Sequence, residues 1–144
     1  MHRRIFLVLA TSAVATTVAR GQSTIPATLH KNPNCGCCDV YAAHLEENGF
    51  SVILENTTDL RSISLAAGVP EQLAGCHTMF VGEYVVEGLV PADIVKRMLA
   101  EKPAIKGVAL PGMPSGAPGM PGPKAGPLTV YAFGAGEPMI YAEA

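Results

Sequence analysis

Four cysteines carry most of the chemistry open to this sequence: Cys35, Cys37, Cys38 and Cys76. Three of them fall within four residues, in Cys35-Gly36-Cys37-Cys38. Cys35 and Cys38 are three apart, so a helix starting there brings both thiols to one side. The N-terminus of such a helix carries a partial positive charge and unpaired N–H groups, which favour thiolate over thiol. Gly36 leaves the loop bare, so a metal or another sulfur can approach closely. Cys37 is turned about 100° from each neighbour in an ideal helix and joins the pair only if the first turn is distorted. Thiolates at this spacing suit disulfide exchange or a soft metal. An even cysteine count also fits two structural disulfides, but three cysteines in four residues make a poor framework for stapling a fold.

The surrounding pattern must position these sulfurs. Ala27 to Lys31 reads as a brief strand, broken by Pro33-Asn34, with Asn34 as helix cap. From Cys35 to Asn48 apolar residues recur at helical spacing, and Cys38, Tyr41, Ala42 and Leu45 share one face. Asn48-Gly49 closes that helix. Ser51 to Glu55 reads as a buried strand. Asp59 caps a second helix through Ala67, closed by Gly68. After Val69-Pro70 and Cys76-His77-Thr78, the segments Met79–Gly82 and Tyr84–Glu87 have the signature of a hairpin. Pro91 starts a third helix, Ala92 to Ala100, with Ile94, Val95, Met98 and Leu99 as its apolar stripe. The order β-α-β-α-β-β-α implies an α/β fold with a partly parallel sheet. With a cysteine pair straight after the first strand, it is the order of a thioredoxin-like domain. Such domains place a cis-proline before the third strand, against the cysteine pair. Here Cys76-His77-Thr78 holds that place, so Cys76 is expected beside Cys35 and Cys38.

Convergence of four sulfurs points to copper(I), bound as one or several ions. Thiolate sulfur selects Cu(I), zinc or iron–sulfur clusters. Zinc is less favoured, because structural zinc sites show two separated ligand pairs at regular spacing. An exported iron–sulfur protein calls for twin-arginine export, supported here only by Arg3-Arg4. His77, Met113 and Met120 are weaker candidate ligands, set against readings as a hydrogen-bonded loop histidine and gap-filling methionines. His30 and His44 read as surface residues, and Glu46, Glu47 and Glu87 as a solvated face.

The bulk of the chain fits an exported carrier of metal ions. Met1-His2-Arg3-Arg4 is a short positive segment, Ile5 to Val18 is uncharged and mostly apolar, and small residues follow at Ala19 and Gly21. That order is a signal peptide over residues 1–21, its apolar stretch short of the roughly 20 residues a membrane span needs. Without it the chain has 7 basic and 12 acidic residues, a net charge of −5. No nucleic-acid partner is expected, because phosphate binding needs a basic surface, and no membrane contact is expected after cleavage. The mature part is one small domain with one core. It divides into a metal-binding domain over 22–102, a Pro/Gly/Met-rich loop over 103–127, and a hairpin over 128–144 packed on the domain. The loop repeats Pro-Gly-Met-Pro, at Pro111 to Pro114 and at Pro118 to Pro121.

Several segments, in order, resemble a known family: Asn34-Cys35-Gly36-Cys37-Cys38, Asn48-Gly49-Phe50, Gly68-Val69-Pro70, Cys76-His77-Thr78, Val86-Glu87-Gly88, Val90-Pro91-Ala92-Asp93-Ile94, and the two Pro-Gly-Met stretches. The family is that of small exported metal-binding proteins including the copper-resistance protein CopG. The resemblance covers about three quarters of the chain. It implies a thioredoxin-like fold, a periplasmic location, a role in copper handling, and a cysteine-bound, multinuclear copper centre at Cys35, Cys37, Cys38 and Cys76. Another periplasmic copper protein is the implied partner. One departure stands out: the family reads Glu-Gly-His-Val-Pro where this chain has Glu87-Gly88-Leu89-Val90-Pro91. The alternative function is a thiol–disulfide oxidoreductase with Cys35 as nucleophile and Cys38 as resolving thiol. Cys37 and Cys76 would scramble that exchange, and the missing cis-proline removes the usual grip on a substrate chain.

Overall fold

The computed structural model describes residues 23–144. The expected signal peptide, residues 1–21, lies outside the described residues. The elements run β1 (Ile25–Lys31), α1 (Gly36–Glu47), β2 (Phe50–Asn56), α2 (Leu60–Ala66), a 3-10 turn (Glu71–Leu73), β3 (His77–Val81), β4 (Tyr84–Gly88), α3 (Ala92–Glu101), β5 (Gly107–Leu110), β6 (Thr129–Phe133) and β7 (Met139–Glu143). The protein is mixed α/β, and its first seven regular elements follow the expected β-α-β-α-β-β-α order. All strands join one sheet in the order β2-β1-β3-β4-β5-β6-β7. β1 runs parallel to β2 and antiparallel to β3, and β4 is antiparallel to β3 and parallel to β5.

Side chains alternate across the sheet, and the two faces are covered by different helices. The larger core joins Leu29, Met79, Val86 and Val108 to Cys38, Tyr41 and Leu45 of α1 and to Ile94, Val95 and Met98 of α3. The smaller core, on Val85, Ala109 and Phe133, is closed by Ala67, Val69 and Leu73 around the end of α2. The apolar spacing of α1 therefore sets which side of the sheet receives the cysteines. Asp59 caps α2 by accepting a hydrogen bond from the Ser62 N–H.

Three local expectations are corrected. Ser51 to Glu55 forms a strand, but not a buried one: Ile53 and Leu54 are 59 % and 42 % exposed, because β2 is the edge strand of the sheet among the described residues. The stretch 103–127 is not loop throughout. Gly107–Leu110 is β5, fully buried between β4 and β6. Asn34 is not the cap of α1. The chain turns tightly, with the Cys35 N–H donating to the Asn32 carbonyl at 3.1 Å, and Cys35 becomes the capping residue in an extended conformation.

The proline- and glycine-rich segment that follows β5 does not hang free. Ala117 is buried in the larger core, and Met120 packs against it. Gly119 sits directly over the first turn of α1: a Cβ there would lie 2.6 Å from the Cys37 carbonyl oxygen, and its φ is +93°. Only glycine combines that backbone conformation with that approach.

Candidate metal centre

The first turn of α1 explains how three clustered cysteines can face one point. Cys35 stands outside the helix, with φ −83° and ψ 90°, so the 100° rotation that would send Cys37 away does not govern its relation to Cys35. The Cys35 and Cys37 sulfurs are 3.4 Å apart. Cys38, the third residue of the helix, is fully buried. Lys31 anchors the turn from behind, its buried ammonium 3.1 Å from an Asp39 carboxylate oxygen in the first turn of α1.

The fourth cysteine arrives from the segment that enters β3. Cys76 Sγ lies 3.7 Å from Cys37 Sγ. The Cys76 carbonyl oxygen is 3.4 Å from Cys38 Sγ and 3.9 Å from Cys35 Sγ. All four sulfurs lie within 4.8 Å of one another. The expected convergence of Cys35, Cys37, Cys38 and Cys76 is thus present in the geometry. Within this cluster Cys35 and Cys38 are joined as a disulfide with Cα atoms 5.4 Å apart, while Cys37 and Cys76 are free thiols. The structure is the oxidised state of the Cys-x-x-Cys pair. Burial, followed by the neighbouring Cys37 sulfur, pushes the Cys76 thiol up to about 12. It therefore keeps its proton at neutral pH until something replaces it.

His77 is fully buried, with Nδ1 3.5 Å from Cys76 Sγ and its ring stacked on Tyr41 at 4.7 Å. Its Nε2 is a buried polar atom with no hydrogen-bond partner among the described residues. Burial pulls its pKa down to about 4, a backbone interaction at Gly88 offsetting part of the effect. Tyr41 donates to the Val90 carbonyl at 2.7 Å, so ring and helix are fixed together. Leu89 is fully buried in the same core.

The methionines diverge. Met120 is half-buried against the larger core, whereas Met113 is 46 % exposed with φ +46°. His44 is not a free surface residue: Nε2 accepts from the Ala92 N–H at the start of α3. His30 meets the Phe80 ring edge-on. Glu46 and Glu47 are exposed, but Glu87 is 1 % exposed, which corrects its reading as part of a solvated face. Glu87 accepts hydrogen bonds from the Ser64 hydroxyl at 3.3 Å, the Gly75 N–H at 2.8 Å and the Thr78 hydroxyl at 2.8 Å. Burial raises its pKa, and these bonds offset part of the rise.

Among the described residues no helix is long and apolar enough to cross a membrane. The donor set is all sulfur at its centre, soft and compact, which suits a soft metal and not magnesium or calcium.

Comparison with known proteins places this arrangement. A family described as "Protein of unknown function, DUF411" matches residues 73–120, a span that holds Cys76, His77 and Glu87. No curated protein matches the sequence. Two solved structures are similar, described as copper resistance protein CopG, form 2 and form 1. Form 2 is 34 % identical over 84 % of this chain and 98 % of the other, with a TM-score of 0.78. Form 1 has the same identity and coverage, with a TM-score of 0.77.

Proposed function

Because the chain belongs to the family of the copper resistance protein CopG, we propose that it is a periplasmic copper(I)-binding protein acting in copper handling or resistance. Copper is its cargo, held by Cys35, Cys37, Cys38 and Cys76 as a thiolate centre for one or several ions. The observation that carries this reading is the mutual approach of four sulfurs to within 4.8 Å from segments 38 or more residues apart. Leader-like residues 1–21 support export, and the strand order β2-β1-β3-β4, with α1 straight after β1, supports a thioredoxin-like core.

Loading requires a chemical change at the cluster. An external dithiol must reduce the Cys35–Cys38 disulfide, its two thiols becoming a disulfide as the two cysteine thiols form. Each cysteine that then binds copper releases its proton, Cys76 included. His77 Nδ1 and the Met120 thioether stand as secondary ligands, and Met113, at the surface, as the outermost. The apolar core behind Cys38 limits water on that side of the cluster and favours Cu(I) on sulfur over hydrated ions. Exchange with another periplasmic copper protein would take place at the sulfurs that remain partly accessible, Cys35, Cys37 and Cys76.

The Cys35–Cys38 disulfide at a helix N-terminus also favours a second reading, a thiol–disulfide oxidoreductase with Cys35 as nucleophile. Anaerobic titration of the reduced mature protein with Cu(I), against a chromogenic chelator, separates the two. More than one copper retained per chain, lost in Cys35→Ser and Cys76→Ser, supports copper binding. No retained copper, together with catalysed insulin reduction, selects the oxidoreductase.

A further inference from the structure

We propose that Glu87 is a positioning residue: it holds the Gly75 N–H and the Thr78 hydroxyl, one on each side of Cys76-His77, and thereby fixes the Cys76 sulfur against the cysteines of α1. The inference rests on the copper reading only for its metal readout.

A carboxyl group buried inside a strand is costly unless its oxygens are paired. Packing alone does not call for one here, since Tyr84-Val85-Val86 and Leu89-Val90 on either side are apolar and buried. What Glu87 gains is specific. Of its three donors, two come from the same short segment, one residue before Cys76 and one residue after His77. Thr78 stands directly opposite Glu87 in the β3–β4 ladder, so that bond sets the register at the start of β3. Gly75 lies outside every helix and strand, and the Glu87 side chain supplies the partner for its N–H.

The same place shows a close backbone approach. A Cβ on Gly75 would lie 2.9 Å from both Cα and N of Gly88, so the chain before Cys76 is pressed onto the end of β4. Held there, the Cys76 carbonyl faces the Cys35 and Cys38 sulfurs, and the Cys76 sulfur faces Cys37. The side chain on β4 thus sets the distance between two sulfur-bearing segments without touching any sulfur. Ser64 of α2, the third donor, ties this clamp to the helix behind the sheet.

The test compares Glu87→Ala, Glu87→Gln and Thr78→Val in the full mature chain, with two readouts. The first needs no metal: in a Cys35→Ser/Cys38→Ser background, the effective concentration of the Cys37–Cys76 pair is measured by disulfide formation in glutathione buffers. The second is Cu(I) affinity with all four cysteines present. Glu87→Ala is expected to lower both by about 10- to 100-fold, as removal of groups that orient metal ligands does. Glu87→Gln keeps an acceptor for the Gly75 N–H and is expected to restore most of both. If circular dichroism shows that Glu87→Ala does not fold, Thr78→Val, which removes one anchor and keeps a β-branched residue, decides by the same readouts. A folded Glu87→Ala, or in its place Thr78→Val, with unchanged effective concentration overturns the clamp. Should the wild type retain no copper while Glu87→Ala still lowers the effective concentration, the copper reading falls and the clamp stands.

Discussion

Cys37 Sγ lies 3.7 Å from Cys76 Sγ although 39 residues separate them in the chain. Neither sulfur is tied up in the disulfide, so this pair bridges the two segments of the site in either redox state. Cys37→Ser removes that bridge and leaves the Cys35–Cys38 pair intact. It is expected to cost more than about 100-fold in Cu(I) affinity, since even changes to groups behind the ligands cost about 10- to 100-fold. Competition with a chelator of known affinity measures this; an unchanged affinity would remove Cys37 from the site.

Oxidation of Cys35 and Cys38 removes half of the thiols. The oxidised protein is expected to show two reactive thiols on denaturation and the reduced protein four. Copper capacity should fall with the thiol count and return when a dithiol reductant is added under anaerobic conditions. Thiol titration and metal analysis on the same samples check both. Equal copper uptake by the two forms would mean that the disulfide sulfurs are not ligands.

Gly119 lies on the Cys37 carbonyl in the left-handed region. Gly119→Ala is therefore expected to destabilise the fold by about 1–3 kcal/mol, the typical cost of a residue held in a sparsely populated conformation. Gly36→Ala is the contrast. A Cβ there meets nothing within 4 Å, and stability should change by less than about 1 kcal/mol. Denaturant melts of both variants give the comparison, and a Gly119→Ala as stable as the parent would show that the loop does not rest on α1.

Glu87 gives stability a pH dependence whose sign follows from its environment. Its folded pKa is raised, by burial first. Above about pH 4, where an unfolded glutamate has shed its proton, the folded chain still holds this one. Stability is therefore fully present below that range and is lost as pH rises through the raised folded value. The amide introduced by Glu87→Gln has no such proton to lose, so the variant should gain on the wild type as pH rises from about 4 through that raised folded value. Urea melts across that range test this; a constant difference would contradict it.

Much of the architecture was legible because it rests on periodicity. Cys38, Tyr41, Ala42 and Leu45 mark one face of a helix, and that face is the buried one. Asp59 and Pro91 mark helix starts through local hydrogen bonding and missing N–H groups. Three features needed the assembled sheet. Val52-Ile53-Leu54 reads as interior, but only strand order shows that β2 is an edge. β5 has four residues, too few for a period, between a helix and a proline-rich stretch. Glu87 reads as solvent-facing by residue type. Its one signal was its place inside the apolar run Tyr84 to Val90, where both faces of the strand are covered. Of the site, Cys35, Cys38 and Cys76 followed from the expected topology. Cys37 joins them because Cys35 lies before the helix, a detail of one turn that spacing alone does not reveal.

Copper K-edge X-ray absorption on the anaerobically reduced, Cu(I)-loaded mature protein tests the thiolate centre most directly. The expected result is a sulfur-dominated first shell with copper–copper scattering, both lost in Cys76→Ser. A shell dominated by nitrogen or oxygen, or a spectrum unchanged in Cys76→Ser, would contradict it.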